Sequence, residues 1–318
     1  MEYRQLGASG LQVSIVGLGA NTFGRTVPDP SDAAAILHRA LDLGITFVDT
    51  ADSYNNGVSE EFIGRALGAR RRDVVIATKV GHPMGQGPLW RGASRRFIME
   101  AAHASLRRLK IDAIDLYQIH GPDPLTPIDE TLRALDDLVR NGDVRYVGTS
   151  SFNAAQLTEA AWIARADHLA PYTATQVHYN LLNRAVERDI TPTAARLGIG
   201  LIPYFPLAGG FLTGKYQPNT PIPADSRLAA SAPRHKTLSD ANFNRLHQLH
   251  AFAAAHGHTV AELASAWLLA QPDVRTVIAG ARTIAQLKEN IGSHQWRLTS
   301  EDLAAIDAIC PPPAPQGR

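Results

Sequence analysis

Cysteine is nearly missing. Cys310 is the one thiol in 318 residues, which rules out an internal disulfide and any metal site built on several thiolates. Neither sign of charge is in excess: 31 Lys and Arg against 30 Asp and Glu leave a formal +1, too weak a field to gather nucleic acid or an anionic membrane without specific contacts. No run of about 18 apolar residues occurs, and Met1-Glu2-Tyr3-Arg4-Gln5 has none of the apolar core of a secretion signal. The expectation is a soluble, cytoplasmic protein with neither nucleic acid nor membrane as partner. With 45% hydrophobic and 19% charged residues the chain has an ordinary globular composition.

Length alone suggests two domains, but an α/β barrel can absorb a chain of this size around one core. Short β-rich runs alternate with amphipathic, Ala/Leu-rich segments. Eight runs read as strands: Ser14–Leu18, Thr46–Asp49, Val74–Lys79, Ile114–His120, Arg145–Ser150, Thr175–His178, Gly200–Tyr204 and Thr276–Ala279. Between them, Ser31–Leu43, Glu60–Leu67, Ser94–Leu109, Pro127–Arg140, Ala154–Arg165, Leu238–Ala255 and Thr283–Ile291 carry apolar residues at helical spacing, and Gly44, Gly142 and Gly198 stand where helices end. Eight strand–helix repeats predict a (β/α)8 TIM barrel. Three pieces lie outside the count: a hairpin over Tyr3–Val13 that could plug the barrel floor, a long Gly/Pro/Ser-rich loop over Ala208–Leu238 after the seventh strand, and an extra C-terminal helix at Ser300–Ile309. No linker divides the chain, so residues 1–310 read as a single domain and 311–318 as a disordered tail.

Two nucleotide-binding motifs nearly occur and fail. Gly17-Leu18-Gly19-Ala20-Asn21-Thr22 follows a strand as a dinucleotide fingerprint does, but threonine stands at the third glycine and Pro28 and Pro30 come before any helix. Gly209 to Tyr216 approaches a phosphate loop, yet Tyr216 replaces the hydroxyl that would hold magnesium.

A barrel of this kind carries its chemistry at the C-terminal ends of its strands. Those ends hold Asp49 with Tyr54 five residues on, Lys79, His120, Ser150 with Ser151, and Gln176. A lysine and an aspartate inside a barrel are costly unless they pair. A paired lysine beside a tyrosine favours the phenolate, lowering the tyrosine's pKa until it can act as a general acid near neutral pH. His247 and His250, with His256 and His258 beyond, read as a solvated helical face, and no metal is assigned.

Asp49-Thr50-Ala51 with Tyr54, Ala77-Thr78-Lys79, Asp115 to His120, Gly148-Thr149-Ser150, and Pro206 to Gly210 with Gly214-Lys215-Tyr216 resemble the aldo-keto reductase family, in order and spacing, from Tyr3 to about Ile309. The resemblance implies a catalytic tetrad of Asp49, Tyr54, Lys79 and His120. Tyr54 would give the proton, Lys79 held by Asp49 would lower the tyrosine's pKa, and His120 would orient the carbonyl. It further implies an NADPH/NADP site: Ser150, Ser151 and Gln176 at the nicotinamide amide, Tyr204 stacked on its ring, and Phe205, Pro206, Leu207, Gly209, Lys215 and Arg227 around the pyrophosphate. Gly280, Arg282, Gln286, Glu289 and Asn290 would hold the adenosine end, with Arg282 reading the 2′-phosphate. Phe205 departs from the usual serine, and Asn55 from the glycine that often follows the catalytic tyrosine. Phe23, Trp90 and the loop Gly81–Gly92 flank the expected substrate site. The implied activity is NADPH-dependent reduction of a small aldehyde or ketone. The alternatives are a cofactor-binding partner module like the potassium-channel β subunits, or a biosynthetic keto-sugar reductase; the complete tetrad favours an enzyme. Substrate identity and oligomeric state are left open.

Overall fold

The computed structural model describes residues 1–218, 220–222, 228, 236–292 and 295–314. Eight parallel strands, β3 (Val16–Gly19), β4 (Phe47–Asp49), β5 (Val75–Val80), β6 (Ile114–Ile119), β7 (Val144–Ser150), β8 (Tyr172–His178), β9 (Gly200–Tyr204) and β10 (Val277–Gly280), pair in chain order, with β10 returning to β3. The ring closes between β9 and the approach to β10. There Leu201 N–H donates to Asp273 O at 2.9 Å, and Arg275 N–H donates to Leu201 O at 3.0 Å. This is the (β/α)8 barrel that the alternation predicts.

Around it run α1 (Pro30–Asp42), α2 (Val58–Leu67), α3 (Arg95–Leu109), α4 (Ile128–Asn141), α5 (Ala154–Ala166), α6 (Ile190–Leu197), α7 (Asp240–Ala255), α8 (Val260–Ala270) and α9 (Ile284–Gly292), with α10 (Ser300–Ile309) as the extra helix. Local signals set their ends. Asp29 caps α1 with Pro30 at its first turn, α5 opens on a reciprocal Asn153/Gln156 box, and α4 stops at Gly142 in a left-handed conformation. Helix α8 was not singled out by periodicity because it is apolar nearly all round, with Val260, Leu263, Ala264, Trp267, Leu268 and Leu269 all buried.

Side chains alternate along a strand, so every second residue faces the lumen. Phe47, Ala77, Leu116, Ala174, Ile202 and Ile278 form one lumenal apolar layer, completed from below by Leu6 and Val13. Those two belong to the antiparallel hairpin of β1 (Tyr3–Gln5) and β2 (Gln12–Ser14), which plugs the floor as expected. Gly7 seats it: its φ is +59°, and a Cβ there would lie 2.2 Å from Thr173 O and 2.7 Å from Gly198 O, so only glycine allows the hairpin to approach this closely. A second, larger core fills the space between the outer face of the sheet and the helices. Two residues above the lumenal layer, the same period of two delivers Asp49, Lys79, Gln118, Gln176, Tyr204 and Gly280. The floor is apolar and the next layer is mostly polar, from one alternation.

Part of the long loop after β9 is ordered as a short 3-10 segment over Ala208–Thr213. Of the tail expected to be disordered, 311–314 has no regular structure, and 315–318 lies outside the described residues.

Candidate active site

Lys79 on β5 is 1% exposed, and an ammonium so buried is tolerable only if its donors are used. Nζ donates to Asp49 Oδ2 at 2.7 Å and to Thr50 O at 2.7 Å, and lies 3.4 Å from the Tyr54 hydroxyl. Burial works against the charge, but Asp49 and Tyr54 outweigh it and hold Lys79 above the ordinary lysine value. The second oxygen of Asp49 accepts the side-chain N–H of Gln176 from β8, across the lumen. Gln176, expected at the nicotinamide amide, is thereby also a partner of Asp49.

Tyr54 sits in the turn between β4 and α2. Asn55, Asn56 and Gly57 follow it with φ of +51°, +52° and +90°, three successive left-handed residues that turn the chain sharply into the helix. This accounts for Asn55 where glycine is common: asparagine tolerates the conformation, and its side chain donates to Gly24 O. His120, immediately after β6, stands edge-on to Tyr54 at 5.7 Å between ring centroids. Burial, the Lys79 charge and a neighbouring histidine push its pKa down to about 2, so the ring is neutral across the physiological range and can donate or accept one hydrogen bond.

Behind the tetrad, on the outer side of the barrel wall, lies a buried acidic group. Glu60 accepts from Thr78 Oγ1 at 2.5 Å and from Arg108 Nε at 2.7 Å. Asp52, 1% exposed, has no hydrogen-bonding partner for either carboxylate oxygen among the described residues, although its own N–H donates to Lys79 O. Burial first, then Glu60, raises its pKa to about 7.

The residues expected around the cofactor fall into two groups. At the β7–β9 rim, Ser150 lies level with Gln176, Ser150 Oγ is 3.5 Å from Ser151 Oγ, and Ser151 Oγ is 3.2 Å from the Tyr204 hydroxyl. Beyond Tyr204 the backbone is left-handed at Phe205, Ala208, Gly209 and Gly210. Phe205 O accepts from Asn180 Nδ2 and Ala208 N–H, Pro206 and Leu207 carry the chain into the 3-10 turn, and the Lys215 ammonium lies over the Tyr216 ring at 5.3 Å. At the β10–α9 turn, Arg282 N–H donates to Gln286 Oε1, and Asn290 Nδ2 donates to Gly280 O. Glu289 is exposed on α9. Arg227 lies outside the described residues. Of the residues expected at the substrate, Trp90 is 52% exposed on the rim, whereas Phe23 is 1% exposed and packs into the core, where it offers no surface to a ligand.

A family model described as "Aldo/keto reductase family" matches residues 15–311. The chain belongs to this family. It is 40% identical over 97% of its length to a probable voltage-gated potassium channel subunit beta of Oryza sativa subsp. japonica, covering 96% of that protein. It is 36% identical to the L-glyceraldehyde 3-phosphate reductase of Escherichia coli strain K12, over 96% of this chain and 92% of that one. It is 34% identical to the aldo-keto reductase YhdN of Bacillus subtilis, over 97% and 93%. No helix among the described residues is long and apolar enough to cross a membrane.

Three residues of this aldo/keto reductase site escaped the sequence reading. Gln118 shares the lumenal face with Lys79 and is fully buried with neither amide atom partnered among the described residues; its parity with Leu116 and His120 was the available signal. His178, last on β8, stacks on Tyr204 at 5.4 Å and 11°, and the same parity places it above Gln176. His82 stacks on His120 at 3.8 Å and 15°. It stands in a loop, where no periodicity announces a side chain's direction.

Proposed function

We propose that the protein is an NADPH-dependent reductase of small aldehydes or ketones, with Tyr54 as the proton donor. The observation that carries this reading is the Tyr54 hydroxyl 3.4 Å from an ammonium that is itself locked by Asp49 and Thr50. A fixed positive charge beside a phenol favours loss of its proton, so Tyr54 can protonate a developing alkoxide near neutral pH. His120, held neutral, is placed to orient the carbonyl oxygen toward Tyr54. Asp49 keeps the Lys79 charge in place, and Gln176 keeps Asp49 in place.

The donor set fits a pyridine dinucleotide. Ser150, Ser151 and Tyr204 form a hydroxyl cluster beside the tetrad, suited to an amide and a flat ring. The left-handed glycine turn with Lys215 suits a pyrophosphate. Arg282 precedes the N-terminus of α9, where a further phosphate would meet a planar fork of donors and the positive end of the helix. When bound, the cofactor supplies the hydride. The rest of the work belongs to the chain: Tyr54 holds the proton, Lys79 tunes it, and the buried wall of the barrel keeps water from the Asp49–Lys79 pair.

The test is a substrate panel followed by NADPH absorbance, including triose and triose-phosphate aldehydes because one relative is named for such a substrate. Turnover of at least one aldehyde or ketone, with NADPH preferred to NADH, is expected. Absence of carbonyl reduction and of alcohol oxidation across the panel would refute the reading. It would favour the second one, a cofactor-binding partner protein, which the relative named as a channel β subunit keeps in view.

A further inference from the structure

Two stacked imidazoles stand at the mouth of the barrel, and only one belongs to the tetrad. His82 lies parallel to His120, 3.8 Å between centroids and 15° between planes, with its other side toward solvent. His120 in turn stands edge-on to Tyr54 at 74°. One nitrogen of His120, Nδ1, is buried without a hydrogen-bonding partner among the described residues. In many sites such a bond sets the orientation of a functional imidazole; here it does not.

What takes its place is a clamp between two loops. The loop that carries His82 is pinched at its neck by Gly92 N–H donating to Gly81 O at 2.9 Å, and again by Met84 N–H donating to Trp90 O at 2.9 Å. Asp123, three residues beyond His120, accepts from Ala93 N–H at 2.8 Å. It is itself held by Thr126 Oγ1 at 2.7 Å and Leu125 N–H at 3.0 Å. Gly92 lets the loops meet: a Cβ there would lie 2.5 Å from Asp123 Oδ2. The His120 N–H donates to Val80 O at 2.8 Å, which ties the base of the second loop to the base of the first. The backbones from which the two histidines project are therefore registered to one another by hydrogen bonds on both sides.

We propose that His82 is a positioning residue for His120: by stacking, it holds the ring in the plane that addresses the same carbonyl oxygen as Tyr54, and it shields the ring from water. The inference rests on the reductase reading for its catalytic consequence, but not for its structural one. Among the described residues, the ionisable groups facing His120 besides His82 are Lys79 from β5 and Tyr54 from the turn after β4. Lys79 also faces His82, and both imidazoles are held below the usual histidine value. A positive charge on either ring would be set against the Lys79 ammonium, so the stack is a pair of neutral rings.

Two variants separate stacking from bulk effects. His82→Ala removes the flat face and opens His120 to water; His82→Phe keeps the face without a titratable group. In the cofactor-free protein, followed by NMR of the histidine rings with the His120 signal assigned through His120→Gln, the wild-type ring should show no titration above about pH 4. In His82→Ala it should titrate between about pH 5 and 7, and in His82→Phe it should again stay silent. In turnover assays, His82→Ala should lower kcat by about tenfold with little change in NADPH Kd, and His82→Phe should recover most of that loss. A His120 that titrates normally in the wild type, or remains silent in His82→Ala, overturns the proposal. So does a His82→Phe as impaired as His82→Ala. If no substrate is turned over by the wild type, the reductase reading fails, and the NMR titration still judges the stack.

Discussion

The tetrad and the cofactor rim stand on the same barrel mouth and are built by different means. At the tetrad, Lys79 is buried against Asp49 and Thr50, and Gln176 reaches Asp49 from a strand 127 residues away. Strand register sets Asp49, Lys79 and Gln176, a left-handed turn sets Tyr54, and the Lys79 charge is matched by Asp49 inside the lumen. At the rim where the resemblance expects the cofactor, the backbone is left-handed at Ser151, Phe205, Ala208, Gly209 and Gly210, while Lys215 stays exposed with its ammonium over the Tyr216 ring. The difference is between a charge pair fixed by the rigid sheet and a rim shaped by loop backbone that can adjust.

If this contrast is right, damage to the tetrad should strike turnover and spare cofactor affinity. The largest expected effect is Tyr54→Phe: kcat falls by roughly 10²–10⁴-fold, the range of a lost general acid, while NADPH Kd hardly moves. Measuring both constants on one preparation checks it. Near wild-type kcat in this variant would break the comparison at its centre.

Next in size are Lys79→Met and Asp49→Asn. Lys79→Met leaves Asp49 buried without its counter-charge, a loss of about 3–5 kcal/mol of folding stability in addition to activity. Denaturant unfolding beside kinetics reads both. Because the two residues act on one proton, the double variant should lose less transition-state stabilisation than the sum of the single losses; strict additivity would mean that they do not cooperate.

The acid behind the tetrad sharpens the picture through pH. Asp52 has a raised pKa, about 7 against an ordinary 3.8, so the folded state binds more protons than the unfolded state between those values. Stability contributed by its neutral form is present below about pH 4 and is lost as pH rises toward 7. At about 1.4 kcal/mol per pKa unit, up to ~4 kcal/mol is at stake. Asp52→Asn should therefore raise Tm relative to wild type at pH 8, by an amount that shrinks steadily toward pH 4. A pH-independent difference would show that Asp52 is charged throughout.

The smallest effect belongs to the rim. Arg282→Ala should weaken NADPH about ten- to a hundredfold, the value of a charge-assisted contact of roughly 1.5 to 3 kcal/mol, and leave NADH unaffected. An unchanged preference would mean that the 2′-phosphate is read elsewhere.

Much of this is legible in the sequence. Asp49, Lys79 and His120 stand at or next to strand ends, and Tyr54 lies five residues past one, so counting strands and collecting their polar ends brings the tetrad together. Asn55 was visible as a departure but not explained, because a left-handed turn shared with Asn56 and Gly57 is a property of backbone angles. Phe23 packs into the core, a direction that its position just past β3 does not reveal. His82 enters the sequence reading only as part of the loop Gly81–Gly92, because a loop has no period from which a side chain's direction can be inferred.

The barrel and its polar layer follow from local pattern. Strand alternation is a local property with a period of two, and it carries Phe47 to Asp49, Ala77 to Lys79, Leu116 to Gln118, Ala174 to Gln176 and Ile202 to Tyr204 whatever the neighbours are. Which side chains meet is a matter of three-dimensional packing. Gln176 on Asp49, His82 on His120, Asp52 beside Glu60 and the closure of β9 toward β10 through Leu201 all depend on register between distant segments and on loop geometry. Pairing across the lumen is set by packing the whole ring at once, and no stretch of chain encodes its partner's position alone.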